Sequence, residues 1–204
     1  MAMERKKRAP TLGRPRSFDT REALGAAMEV FWRKGYEGAS LSDLTNAMGI
    51  NRPSLYAAFG GKEALFRRVL ERYEEGPAAY VRQALNQPTA RAVVERLMQG
   101  AAKLATSSKN PPGCLSVQGA LASGSGAESV RSHLVRRRHA GEKAVRQRLQ
   151  RAQLEGDLPT DVSPDDLARY VVTMVQGIAV QAAGGATRKE LSRVIQTALR
   201  AWPR

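Results

Sequence analysis

The stretch from Ser40 to Lys62, SLSDLTNAMGINRPSLYAAFGGK, limits what this chain can fold into more than any other. Ser40 and Asp43 stand at N-cap and N3 spacing, so a helix starts near Leu41, with Leu44 and Met48 on one face. Gly49 ends it, because glycine adopts the left-handed conformation that a helix C-terminus often needs. Ile50 fills the corner. Asn51 suits the N-cap of a second helix, and Pro53 is tolerated in its first turn, where a missing N–H costs little. Leu55 and Ala58 or Phe59 form the buried side. Apolar anchors inward with Arg52, Ser54 and Tyr56 outward make a helix-turn-helix pattern, and an outward-facing second helix is a means of reading the DNA major groove. Ordinary helical bundles also contain two short helices around a glycine, so the flanking sequence has to decide.

From Phe18 to Phe66 that neighbourhood resembles the DNA-binding domain of the TetR family of bacterial repressors. The matching pieces are Phe31, Lys34, Gly35 and Tyr36 at the end of the first helix, a small polar residue opening the second, and the Gly-Ile turn. The Leu-Tyr-x-x-Phe of the recognition helix and Lys-Glu-x-Leu-Phe opening the fourth complete them. Gly60-Gly61 departs from the serine or aspartate cap that the family often places before the lysine. A glycine cap is weaker by only a few tenths of a kcal/mol. The resemblance implies an all-α fold: an N-terminal helix-turn-helix DNA-binding domain and a C-terminal helical domain for ligand binding and dimerisation, in a cytoplasmic bacterial protein associated with the nucleoid.

Composition agrees. A net charge of +14 and a pI near 10.7 over 204 residues favour a polyanionic partner, either nucleic acid or an anionic membrane surface. No apolar run is long enough to span a bilayer, and MAMERKKRAP has charge without the apolar stretch of a secretory signal, so no membrane role is expected. One cysteine, Cys114, excludes an internal disulfide and a cysteine-cluster metal site, and His133 and His139 lack a partner cluster. No paired carboxylates, Cys-His pair or glycine-rich phosphate loop suggests an enzyme, and no cofactor or metal is expected.

Helical periodicity and break signals divide the chain into about nine helices. Residues 1–17 are a basic arm, 18–66 the DNA-binding domain and 67–204 the regulatory and dimerisation domain. The first helix starts at Asp19, with Glu22 as capping partner, and Gly35 closes it. The fourth runs from Lys62 and ties the two domains together. Gly76-Pro77 and Asn86-Gln87-Pro88 are breaks. Thr89 caps a fifth helix, Cys114 to Leu121 form a short apolar one, and residues 123–126, SGSG, break the chain again. A long helix then runs to about Glu155. Ser163-Pro164 starts an almost wholly apolar helix to Ala183, and Thr187 caps the last.

For DNA, Arg52, Pro53, Ser54 and Tyr56 face the major groove: arginine can donate bidentately to guanine, and proline can touch a thymine methyl. Ser42, Thr45, Tyr56 and Lys62 suit phosphates, since helix N-termini attract anions. The resemblance agrees for Tyr56 and Lys62, whose counterparts commonly bind phosphates. Arg14 and Arg16 in the arm suit a narrow minor groove; the alternative is a solubilising tail. One such head reads few base pairs, so a homodimer on a palindromic double-stranded operator is expected, paired through Met174, Ile178, Val194, Ile195, Leu199 and Trp202. These could instead fill the protomer's own core. The rival is a basic helical protein binding nucleic acid without sequence preference.

Two switches are open. Cys114 follows Pro111-Pro112-Gly113 at a helix start, with Lys109 near, a setting that favours a thiolate. It also resembles a TetR subgroup whose reactive cysteine at this place senses electrophiles or oxidants, though free cysteines are often only small buried hydrophobes. A small-molecule inducer in a helical pocket lined by Leu97, Met98, Gln118, Tyr170, Met174 and Gln181 is the other, although such sets are more often plain core. Arg136, Arg137, Arg138 and His139 are read as a solvated face.

Overall fold

The computed structural model describes residues 18–120 and 127–203, the side chains of 119 and 120 excepted. Among these there are ten helices and no strand. The arm arginines and the SGSG break lie outside the described residues.

The DNA-binding head is built by its caps. Helix α1 (Thr20–Gly38) begins where the Asp19 carboxylate accepts the N–H groups of Arg21 at 2.6 Å and Glu22 at 3.3 Å. Regular helix stops at Gly35 (φ 69°, ψ 177°), and one further turn carries the chain to Gly38. Helix α2 (Leu41–Met48) opens on a capping box. The Asp43 N–H donates to Ser40 Oγ at 3.0 Å, and the Ser40 N–H donates to Asp43 Oδ2 at 3.0 Å. Lys34 adds an ion pair to Asp43 at 2.6 Å, tying α1 to α2. Gly49 (φ 65°) turns the chain, and Asn51 accepts the Ser54 N–H at 2.9 Å to start α3 (Arg52–Phe59). At Gly61, φ is 124°, a backbone only glycine adopts readily. The unusual glycine before Lys62 thus makes the sharp join to α4 (Lys62–Glu75) possible.

The head's core is aromatic. The Phe31 and Phe66 rings meet edge-on at 4.9 Å, Trp32 and Tyr73 likewise at 4.9 Å, and Tyr36 lies 5.1 Å from Phe66. Leu44, Leu55 and Leu65 are fully buried beside them. The same core takes in Leu115 of α7 (Leu115–Ala120) and Val130 and Leu134 of α8 (Glu128–Leu154). Packing therefore runs past Phe66 into sequence assigned to the second domain.

Around α6 (Ala90–Ala105) a second core forms with α8, α9 (Pro164–Ala183) and α10 (Arg188–Arg200). Met98, Leu149 and Val171 are fully buried in it. Buried Arg148 holds the turn before α6 by donating to the carbonyls of Gln87 at 2.8 Å and Pro88 at 3.0 Å.

The tenth helix is α5 (Tyr80–Leu85), which two nearby break signals hid. It is held by packing: the Tyr80 ring lies flat on α6 at Gly100, where a methyl group would fall 2.7 Å from Tyr80 Cγ and 2.8 Å from Cε2. Gly100→Ala must push that ring aside and should cost about 1–3 kcal/mol, the usual cost of overpacking. Urea unfolding at fixed protein concentration checks this, and an unchanged midpoint would contradict it.

Hydrogen bonds from Lys34 and Ser40 hold the Asp43 carboxyl far below the usual carboxylate range. A depressed native pKa stabilises the fold above the unfolded value, near 4, and the contribution is lost as pH falls through the native value. Asp43→Asn should therefore be less stable than wild type at pH 6, with the gap closing below about pH 4. A gap independent of pH would refute the role given to the Asp43 charge.

Candidate DNA-binding face and regulatory cavity

Because α3 buries Leu55 and Phe59, with Ala58 partly packed beside them, Arg52, Pro53, Tyr56 and Ala57 stand clear. Pro53, Tyr56, Ala57 and Gly60, at i, i+3, i+4 and i+7, are all exposed on one stripe, with Arg52 beside it. Ala57 was missed because alanine carries no chemical signal, although its spacing from Pro53 would have found it. Ser54 is only half-exposed. Arg52 Nη2 donates to Ser42 Oγ at 3.1 Å, so these two polar groups meet across the turn.

Tyr56 is 53% exposed, unusual for so large an aromatic ring. Its edge rests at Gly61, where a methyl group would sit 3.4 Å from Tyr56 Cε1. Lys62 follows at the first turn of α4, its Nζ 4.6 Å from the centre of the Tyr36 ring. Burial holds the Lys62 ammonium below the ordinary lysine value, with Glu37 opposing. Tyr56 and Lys62 thus flank the Gly60-Gly61 join.

Thr45 does not belong to this face. It is buried, and its hydroxyl donates within its own helix to Leu41 O at 2.9 Å and Ser42 O at 3.2 Å. Nothing is left to offer a phosphate.

A cavity of about 610 Å³ lies between α4, α5 and the C-terminal helices. Its apolar wall includes Tyr73, Tyr80, Val81, Leu97, Leu134, Val145, Val171 and Val175, and Cys114 lies on it. Glu71, Glu74, Arg137 and Arg138 supply charge. The volume suits a small organic ligand, for which pockets run to several hundred Å³. Of the residues expected to line a pocket, only Leu97 does, and Cys114, expected as a separate switch, lies on the same wall. Met98 is fully buried in the core; Tyr170 and Gln181 point to solvent; Gln118 and Met174 lie off the wall. On α4 and α8, Tyr73, Leu134 and Val145 were missed because they sit at core spacing in their own helices, and Arg137 and Arg138 because they read as a solvated face.

Cys114 is half-buried and accepts a hydrogen bond from Tyr73 Oη at 3.2 Å. Burial first, and the neighbouring Cys114 second, hold the Tyr73 and Tyr80 phenols above the ordinary tyrosine value. Both are therefore neutral groups at working pH. Arg137 is not part of a solvated face: it grips Glu74 of α4 with two bonds, Nε to Oε1 at 2.7 Å and Nη2 to Oε2. A second clamp joins the same helices nearer the head, where Arg67 Nη2 donates to Ser129 Oγ at 2.9 Å, and Ser129 Oγ donates to Glu63 Oε1 at 2.7 Å.

The surface expected for dimerisation is also redrawn. Ile178, Ile195, Leu199 and Trp202 are each 4% exposed or less, because they fill the protomer's own core. Val194 at 46% and Val180 at 50% are the large apolar residues that α9 and α10 leave in the open, with Tyr170 at 38% and Met174 half-exposed.

Residues 23–69 match the family described as bacterial regulatory proteins, tetR family, and residues 89–198 match the tetracyclin repressor-like C-terminal domain. The chain is 33% identical over 193 residues to the HTH-type transcriptional repressor ComR of Escherichia coli (strain K12), spanning 94% of this chain and 92% of ComR. A stretch of 71 residues is 48% identical to the repressor BdcR of the same strain, covering 35% of this chain and 36% of BdcR. Among solved structures, a cysteine mutant of the TetR family regulator CifR, complexed with a 26bp double-strand operator DNA, superposes with a TM-score of 0.89. It is 44% identical, over 93% of this chain and 100% of that one. With both halves matched and similarity along nearly the whole length, this chain belongs to the TetR family of bacterial transcriptional regulators.

Proposed function

We propose that the protein is a dimeric, sequence-specific repressor whose grip on a palindromic operator is released by occupation of the cavity. The observation that carries this reading is the position of α4. Tyr73 and Glu74 on one side of the cavity belong to the helix whose first turn presents Lys62 beside the recognition helix. A ligand that fits only one position of α4 shifts the equilibrium between head positions by its differential affinity. Arg52, Pro53 and Tyr56 read the groove, Ser54 supports them, and Ser42, Tyr56 and Lys62 hold phosphates. The dimer forms through the open surface around Val194, Val180 and Met174, so that two heads reach half-sites about 34 Å apart.

Modification of Cys114 is the second route, favoured by its place on the cavity wall against Tyr73 Oη. A group added to the thiol crowds the Tyr73 hydroxyl that donates to it and enters the same space as a ligand. Both routes act on the Tyr73 edge of α4.

Selection of bound sites from random DNA at physiological salt tests the reading; a palindromic consensus is expected. Binding without a consensus, vanishing as salt rises, would instead mark a non-specific basic protein. On the selected operator, Lys62→Ala should weaken binding for all sequences alike and reduce the salt slope by about one, whereas Arg52→Ala should cost about 1–3 kcal/mol and relax the preference at one position per half-site. Identical behaviour of the two variants would refute these roles. Alkylation of Cys114 should lower operator affinity, with Cys114→Ser unaffected by the same reagent; equal loss in both would exclude the thiol route.

A further inference from the structure

The charged part of the cavity wall is asymmetric. Arg137 is 24% exposed, while its partner Glu74 is 49% exposed. Glu74 can swing into water with little change in solvation, but the more buried guanidinium then needs another anion. A guanidinium gripping a carboxylate through two parallel bonds is the geometry that recognises carboxylates generally. Arg138 is half-buried next to it and has no ion pair among the described residues. Glu142, the half-buried acid of this wall, is already taken by Arg169 at 3.2 Å. The wall as a whole is mixed in charge, with Glu71, Glu74, Glu75 and Glu142 beside Arg82, Arg137 and Arg138; next to Arg137, burial first, and then Arg137, Arg67 and Arg136, hold the His133 imidazole below its ordinary value, with Glu71 opposing. The lining also carries aliphatic side chains, Val81, Leu97, Val171 and Val175 among them.

We infer that the cavity takes an amphipathic carboxylate, whose apolar body lies on the aliphatic wall and whose headgroup replaces Glu74 on Arg137. The inference rests on the regulatory reading of the cavity and names the ligand class for it. The exchange swaps one ion pair for another, so the guanidinium is never left bare, while the C-terminal turn of α4 loses its tie to α8. No covalent step is involved.

Three probes share one apolar body and differ in headgroup: octanoate, 1-octanol and octylammonium. Calorimetric titration of the full-length, DNA-free protein should find octanoate bound at least about tenfold more tightly than the other two. Arg137→Gln should weaken octanoate by about tenfold or more, as expected for loss of a charge-assisted bidentate pair. Glu74→Gln removes the internal competitor and should tighten octanoate by about threefold or more, a gain that a loosened fold does not produce. The inference is overturned if octanoate fails to bind, if octanol or octylammonium binds as tightly, or if Glu74→Gln leaves octanoate unchanged or weaker. Octanoate that binds as stated but leaves operator affinity untouched would overturn the regulatory reading alone, leaving the carboxylate site in place.

Discussion

Along one edge of α4, Leu65, Phe66, Val69, Leu70 and Tyr73 are buried to 1% exposure or less, in one core with residues of α1, α7 and α8. Burying a side chain of this size contributes about 1.5–3 kcal/mol before the entropy of ordering the chain is set against it, so the loss of any one of the five is large beside a net stability of about 5–15 kcal/mol. The head cannot rest on α1 to α3 alone, since α2 and α3 are eight residues each and too short to persist without packing. Helix α2 is seated on α1, and α3 bridges α2 and α4, so their position follows how α1 packs on α4. The polar clamps at Glu63–Ser129–Arg67 and Glu74–Arg137 then fix α4 against α8 at two points along its length.

This arrangement places the cavity where a small change matters. Tyr73 contributes its ring to the head's core, its hydroxyl to Cys114 and part of its surface to the cavity. A close-packed core transmits displacement rather than absorbing it. In the proposed reading, whatever enters the cavity or adds to the thiol acts on the helix that carries Lys62. The chain's +14 charge favours DNA of any sequence; in the proposed reading, choice of sequence rests on the few side chains that α3 holds clear of its core.

Local chemistry was legible in the sequence, and long-range assembly was not. Ser40, Gly49, Asn51 and Thr187 act through bonds to residues within a few positions, so their caps and turns could be read directly. Tyr80 defeated that method: its helix is held by Gly100, twenty positions on, and two break signals suggested none. Burial of apolar residues was legible as a fact, but not which surface they faced. Ile195 and Leu199 were read as interface, with core as the alternative, and packing around α6 decided for core. The cavity wall could not be listed in advance, since it depends on how α4, α5, α8 and α9 meet. Arg137 looked solvated because its partner, Glu74, lies 63 positions away.

That the head and the first half of α8 form one cooperative unit is the claim on which the account stands. Leu134 tests it most directly: it belongs to α8, is 1% exposed, and packs in the head's core. Leu134→Ala should cost about 2–5 kcal/mol. Hydrogen exchange of the variant, followed peptide by peptide, should show opening in α1 and α4 accelerated as much as in the first half of α8, as expected when one cooperative unit is weakened. Acceleration confined to α8 and the helices around α6, with α1 and α4 exchanging as in wild type, would contradict the shared core and with it the coupling of cavity to DNA.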